Sequence, residues 1–211
     1  MNLAIFGATG ATGTCLTEQA LAAGHEVTAI VRDPARLSVP AQPRLWVVTA
    51  DVMDPAAISP AMSAATAVIT ALGPRGTGPT TIIRDSVRSI ITAMEQAGIG
   101  RLLEVSGSVV ADDGESLYLR YVLKPLARRT FLRHVCADMR AGEEEIRRSS
   151  LDWTIVRPPA LTGKPASGAC RMGVDRSVPH AVSISRGDLA AAVLSLLDDP
   201  AALRRHVFVA S

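Results

Sequence analysis

Three glycines at a fixed spacing, Gly7, Gly10 and Gly13, follow directly on a short apolar run at residues 3–6, in the stretch Phe6-Gly7-Ala8-Thr9-Gly10-Ala11-Thr12-Gly13. A strand that enters such a loop and leaves it as a helix points unpaired backbone N–H groups outward from the helix N-terminus. Those donors, with the positive end of the helix dipole, suit a pyrophosphate. Glycine is needed because a Cβ would block the tight turn, the approach of the phosphate, or the packing of the helix on the strand. The pattern predicts a dinucleotide site at the head of the chain.

A second set of residues would choose between dinucleotides. After the second apolar run comes Val31-Arg32-Asp33-Pro34-Ala35-Arg36. An acid about 20 residues past the glycines grips the ribose 2′-hydroxyl of NAD, whereas a 2′-phosphate calls for arginine. Arg32 stands at the strand end and Arg36 about one helical turn on, so two guanidinium groups can clamp the phosphate. Asp33 is the competing signal. Its other reading is an N-cap, since Asp followed by Pro recurs at Asp54-Pro55 and Asp199-Pro200. The expectation is NADP (NADPH) in preference to NAD, with solvated surface charge as the alternative for both arginines. Asp51-Val52 follows the third run, where an adenine would meet a carboxylate and an apolar wall; a plain turn is the alternative for Asp51. In Leu72-Gly73-Pro74-Arg75, Gly73 permits close backbone approach and Arg75 can reach a pyrophosphate, again with a plain turn as the alternative.

Short apolar runs must position these residues, and they alternate with helix-period segments. The runs are 3–6, 26–31, 44–49, 67–71, 101–106, 153–157 and 206–209, each the kind of strand that is buried on both faces. Asp54-Pro55 opens a helix through Met62. Ile83, Val87, Ile90, Met94 and Ala97 form one stripe on a helix over 80–97 that Gly98 terminates. A further helix ends over 143–149, and another runs from Asp188 to Leu197. This alternation predicts an α/β chain with right-handed crossovers and a doubly wound, mostly parallel sheet flanked by helices. With no linker and no repeat, residues 1–211 read as a single NAD(P)-binding domain. Two stretches, 108–125 and 162–183, leave the carboxyl ends of strands and are the expected walls of a substrate pocket.

Composition narrows the class. A 48% hydrophobic, 20% charged chain with net charge +2 is enzyme-like and gives no support to nucleic-acid binding. Cys15, Cys136 and Cys170 have no metal-ligand spacing, so no metal is expected and a reducing compartment is. Cys15 reads as a small core residue. No apolar run approaches the roughly 20 residues of a membrane span, and the core begins at once after Met1-Asn2. A cytoplasmic setting is expected. His25, His134, His180 and His206 form no cluster. The basic stretch Arg120, Lys124, Arg128, Arg129, Arg133 and Arg140 reads as a solvated helical face, with attraction of an anionic acceptor as the alternative.

The glycine stretch, Val31-Arg32-Asp33, Asp51-Val52 and Trp153-Thr154-Ile155-Val156-Arg157-Pro158 together resemble the atypical short-chain dehydrogenase/reductase superfamily. Within it the chain is similar to the NAD(P)H-binding group that contains NADPH-dependent flavin reductase (biliverdin-IXβ reductase) and, more distantly, NmrA-like redox sensors. The similarity runs over essentially the whole chain, including Ser185-Arg186-Gly187-Asp188-Leu189-Ala190. It implies a Rossmann-type fold, with Gly7, Thr9, Gly10, Ala11, Thr12 and Gly13 around the pyrophosphate. It further implies Arg32 and Arg36 on the 2′-phosphate, Asp51 and Val52 at the adenine, and Leu72, Gly73 and Arg75 along the middle of the cofactor. Ser106, Gly107, Ser108, Pro158 and Pro159 would lie beside the nicotinamide.

The chain departs from that pattern at the catalytic end. Ser108 stands at the usual serine position and is the candidate for a hydrogen bond to the acceptor. The usual Tyr-x-x-x-Lys is missing: Tyr121-Val122-Leu123-Lys124 has the wrong spacing, and Pro125 stands where the lysine belongs. Tyr121 is therefore a weak candidate acid, and Tyr118 can equally be a packing residue. The histidines near the flavin reductase substrate are matched here by Met139 and Ala160. The resemblance implies an NADPH-dependent oxidoreductase that passes hydride to a small conjugated acceptor such as a flavin or quinone. A non-catalytic NADP-binding sensor is the alternative, and a sugar isomerase or epimerase is the least favoured. The expected partner is a small molecule rather than nucleic acid or membrane. A monomer is plausible and the oligomeric state is left open.

Overall fold

In a computed structural model, residues 1–74, 76, 78–110 and 133–211 are described. Within them the elements run β1 (Asn2–Phe6), α1 (Ala11–Ala22), β2 (Glu26–Val31), β3 (Leu45–Thr49), α2 (Pro55–Met62), β4 (Ala67–Thr70), α3 (Ile82–Ala97) and β5 (Arg101–Val105). They continue with α4 (Arg133–Arg148), β6 (Asp152–Arg157), β7 (Ala160–Thr162), β8 (Arg171–Val174), β9 (Ser183–Ser185), α5 (Arg186–Ser195) and β10 (Arg205–Ala210). Each apolar run named above forms a strand. The run from 44 loses its first residue because Arg44 has φ 73°, outside the range of a strand.

The main sheet has the order β3-β2-β1-β4-β5-β6-β10-β8, with every pairing parallel except β10 against β8. Chain direction across the sheet reverses between β1 and β4, the switch point at which open α/β sheets leave a crevice at the carboxyl ends of their strands. Period-2 alternation divides the core into two layers. Leu3, Ile5, Ala29 and Leu103 face Leu16, Ala20, Leu189 and Val193 of α1 and α5. Ala4, Phe6, Leu102 and Ile155 face Ile58, Ile90, Met94 and Ile146 of α2, α3 and α4. The N-caps read from Asp-Pro are all present: Asp33, Asp54 and Asp199 each accept a backbone N–H from the turn that they open. Among the described residues no helix is long and apolar enough to cross a membrane.

The 162–183 stretch, expected as an open loop, contains strand structure. β8 closes the sheet edge on β10, and β9 pairs in parallel with β7 to make a separate two-stranded sheet. These strands have three or four residues and are interrupted by polar side chains, so their order comes from partners distant in sequence. Asp188, at 2% exposure, ties the stretch down. Its carboxylate accepts the N–H groups of Ser167 and Gly168 and the hydroxyls of Ser167 and Ser185, while Ser185 Oγ caps α5 by accepting Asp188 N–H. Burial alone would raise this carboxyl's pKa, but the hydrogen bonds hold it at about 2. A depressed carboxyl adds stability above its unfolded value that disappears as pH falls through the folded one. Urea unfolding should therefore show Asp188→Asn well below wild type at pH 6. The gap is expected to close from about pH 4 downward and vanish near pH 2. A gap unchanged across that range would refute the latch.

Candidate functional site

The three glycines of the β1–α1 turn do three different things. Gly7 has φ 82°, and a Cβ on it would lie 2.5 Å from Ala71 O at the end of β4. A Cβ on Gly13 would lie 2.1 Å from Gly7 O, so α1 packs on the turn backbone to backbone. A Cβ on Gly10 would meet only Gly7 O, at 3.3 Å, and otherwise faces open space. Gly7 and Gly13 thus build the turn, while Gly10 keeps the approach clear. Gly10 is also the N-cap of α1 and supplies no side-chain cap. Thr14 N–H, bonded to Gly10 O, makes the first bond of the helix, so the amides of Ala11, Thr12 and Gly13 point out of its end.

That exposed end stands out from its neighbours. The first turn of α2 is capped by Asp54, and that of α5 by Ser185. At α3, Asp138 reaches across from α4 and accepts Ile83 N–H, Arg84 N–H and the Thr80 hydroxyl. An acid already occupies that position, whereas α1 has none. The cradle fits the pyrophosphate of a dinucleotide in both shape and charge.

Beyond β2, Arg32 and Arg36 are exposed, and neither guanidinium makes a hydrogen bond or ion pair among the described residues. Arg32 lines a cavity of about 270 Å³ with Pro74, Gly76, Gly78, Pro79 and Thr80, which lies at the carboxyl end of the sheet. Asp33, the competing acid, has its Oδ1 on Ala35 N–H, the bond of an N-cap. Asp51 behaves as a turn residue, accepting Met53 N–H at 3.0 Å. Val52 is buried in the α2–α3 layer, and Leu72 packs against that layer half-buried. Arg75 lies outside the described residues.

At the far end of the crevice, β5 and β6 bring Ser106, Gly107, Ser108, Pro158 and Pro159 together. Ser106 N–H bonds Val156 O, and Ser108 N–H bonds Pro158 O at 2.8 Å. Met139 of α4 lies against this corner, its Cε 3.1 Å from where a Gly107 Cβ would stand. Tyr118, Tyr121 and Lys124 lie outside the described residues, as does most of the 108–125 wall.

Three residues of this corner escaped the sequence reading. Glu143, which sits in what looks like a surface acidic run, is buried and bonded to Arg157 through both carboxylate oxygens and to the Ser106 hydroxyl. Glu104 is buried in the middle of β5, and burial, reinforced by the Glu143 charge, pushes its carboxyl well above the usual range. The hydroxyl of Thr70, its cross-strand partner on β4, works against that shift. The available signal was a charge inside an apolar strand, at Glu104 and Arg157: in a sheet buried on both faces, such a charge must be neutralised or paired. A larger cavity, of about 320 Å³, lies at the other end of the sheet among Asn2, Glu26, Trp46 and Pro60, remote from these groups.

Comparison with known proteins gives the family and the fold. A family model described as NAD(P)H-binding matches residues 7–200. An uncharacterized chloroplastic protein of Arabidopsis thaliana is 31% identical over 95% of this chain and 73% of its own length. ChuY, an anaerobillin reductase from Escherichia coli O157:H7, superposes with a TM-score of 0.79 at 24% identity, over 100% of this chain and 97% of its own. A wide-type short-chain dehydrogenase/reductase from Veillonella parvula, solved in complex with NADP, superposes with a TM-score of 0.78 at 18% identity, over 100% and 94%. These likenesses establish a Rossmann fold.

Gly10 and Gly13 separate binding from folding. Gly10→Ala should keep the wild-type melting temperature within a few degrees while weakening dinucleotide affinity about tenfold or more in calorimetry. Gly13→Ala, whose methyl has no space, should lose cooperative unfolding by circular dichroism. Equal damage from both would refute the division of roles.

Proposed function

The chain belongs to the NAD(P)H-binding family, and from that premise we propose that it is an NADPH-dependent reductase acting on a small conjugated acceptor such as a flavin or quinone. The carrying observation is the uncapped end of α1, lying at the same edge of the sheet as two arginines whose side chains have no partner among the described residues. The open amides of Ala11, Thr12 and Gly13 receive the pyrophosphate. Arg32 and Arg36 take the 2′-phosphate, while Asp33 Oδ1 accepts an N–H of the adjoining turn. Bound NADPH supplies a hydride.

The chain's own share of the chemistry is placement. The backbone of Gly73, exposed at the end of β4, leaves room for the middle of the coenzyme. Pro158 and Pro159 present a stiff, largely apolar rim. Ser108 stands beside them as the candidate hydrogen-bond donor to the acceptor. Met139 supplies no proton where it lies, and an acceptor of this kind can take its proton from water. Flavins and quinones tolerate that, whereas abstraction of a proton from a sugar hydroxyl does not. The same feature supports a second reading, an NADP-binding sensor without turnover.

Two measurements decide. Spectrophotometric NADPH oxidation across a panel of flavins and quinones should find at least one acceptor; tight binding with no turnover on any would favour the sensor. Arg32→Ala should raise the Kd for NADPH about tenfold and leave that for NADH nearly unchanged. Parallel losses for both coenzymes would remove the phosphate clamp.

A further inference from the structure

The direction of one hydrogen bond limits what the nicotinamide end of this site can recognise. Ser106 donates its hydroxyl proton to Glu143 Oε1 at 2.6 Å. That oxygen also accepts Arg157 Nε at 3.2 Å, and Glu143 Oε2 accepts Arg157 Nη2. Glu143 and Arg157 are 4% and 9% exposed, so the ion pair is held inside the protein, and the Arg157 guanidinium is further fixed over the Phe208 ring at 5.5 Å. An ionised carboxylate only accepts, a guanidinium only donates, and a serine hydroxyl has one proton and two lone pairs. With its proton held in a charge-assisted bond, Ser106 offers lone pairs to anything that reaches it from the crevice.

Two neighbouring backbone donors are engaged as well. The N–H groups of Ser106 and Ser108 are taken by Val156 O and Pro158 O, and Pro158 and Pro159 have none. Ser106 therefore matches a ligand group that donates N–H, and it cannot donate to a carbonyl. On a nicotinamide ring the only such group is the carboxamide nitrogen.

We propose that Ser106, aimed by the buried Glu143–Arg157 pair, accepts the carboxamide N–H of the nicotinamide and so fixes the orientation of that ring. The assignment rests on the NADPH reading above. Ser106 is the contacting group, and Glu143 and Arg157 are positioning residues that act through it. Glu104, buried in β5 close by, has its carboxyl pushed up by burial and by the Glu143 charge.

The acetylpyridine analogue of NADP tests the assignment, since a methyl ketone replaces the carboxamide and removes its N–H. Dissociation constants measured by calorimetry on the full chain give a discrimination ratio, analogue over NADP, that is independent of turnover. The wild-type ratio should be about tenfold or more. Ser106→Ala should bring it close to one, and Ser106→Thr, which keeps the hydroxyl, should restore it. Glu143→Gln should also lower it, because an amide can donate to Ser106 and release the serine proton. Should that variant fail to fold, the Ala and Thr pair still decides. Equal wild-type affinity for the two ligands, or discrimination that survives Ser106→Ala, would overturn this assignment alone. Failure to bind NADP at all would overturn the cofactor reading and the assignment with it.

Discussion

No side chain fits between the first turn of α1 and the end of β1, and the rest of the site depends on that contact. The space where a Gly13 Cβ would stand is filled by Gly7 O. The helix therefore sits directly on the strand that feeds it, with its N-terminus over the crevice between β1 and β4. The sheet order makes that crevice the switch point of the fold. Three other helix starts among the described residues are covered by side chains. Asp54, Asp138 and Ser185 cap α2, α3 and α5, and α1 keeps its positive end exposed.

The opposite end of the crevice is organised by charge inside the core. Placing Glu143 and Arg157 between the sheet and α4 costs desolvation that a close, doubly bonded pair offsets only in part. Such a pair is weak evidence for stability, and what it supplies here is a tie from α4 to β6 and to Ser106. Glu104, two residues before Ser106, has its carboxyl pushed well above the usual range by burial, with the Glu143 charge adding to the shift. The two ends of the crevice thus work by different physics, one through backbone dipoles and the other through a buried ion pair.

Much of the framework could be read from residue types. The apolar runs marked the strands because strands covered on both faces need continuous apolar sequence, and the Asp-Pro pairs marked the starts of turns and helices. The 162–183 segment could not be read this way. β8 and β9 are too short and too polar to declare themselves, and they exist because β10 and β7 offer them edges. The Glu143 side chain was equally hidden. In sequence it is one of three consecutive acids, and only the docking of α4 turns it inward while Glu144 and Glu145 pair with surface arginines.

By itself, the sequence determined the layered α/β architecture and the glycine turn between β1 and α1. Both follow from local rules: the period of apolar residues, and the absence of a Cβ at three positions. Tertiary structure decided which charges are buried, which helix end stays open, and which way the Ser106 hydroxyl points. Each of those depends on groups from separate elements meeting: Asp138 with α3, Glu143 with Arg157, and Gly13 with Gly7. Burial and hydrogen-bond direction are properties of such meetings, and residue order along the chain does not carry them.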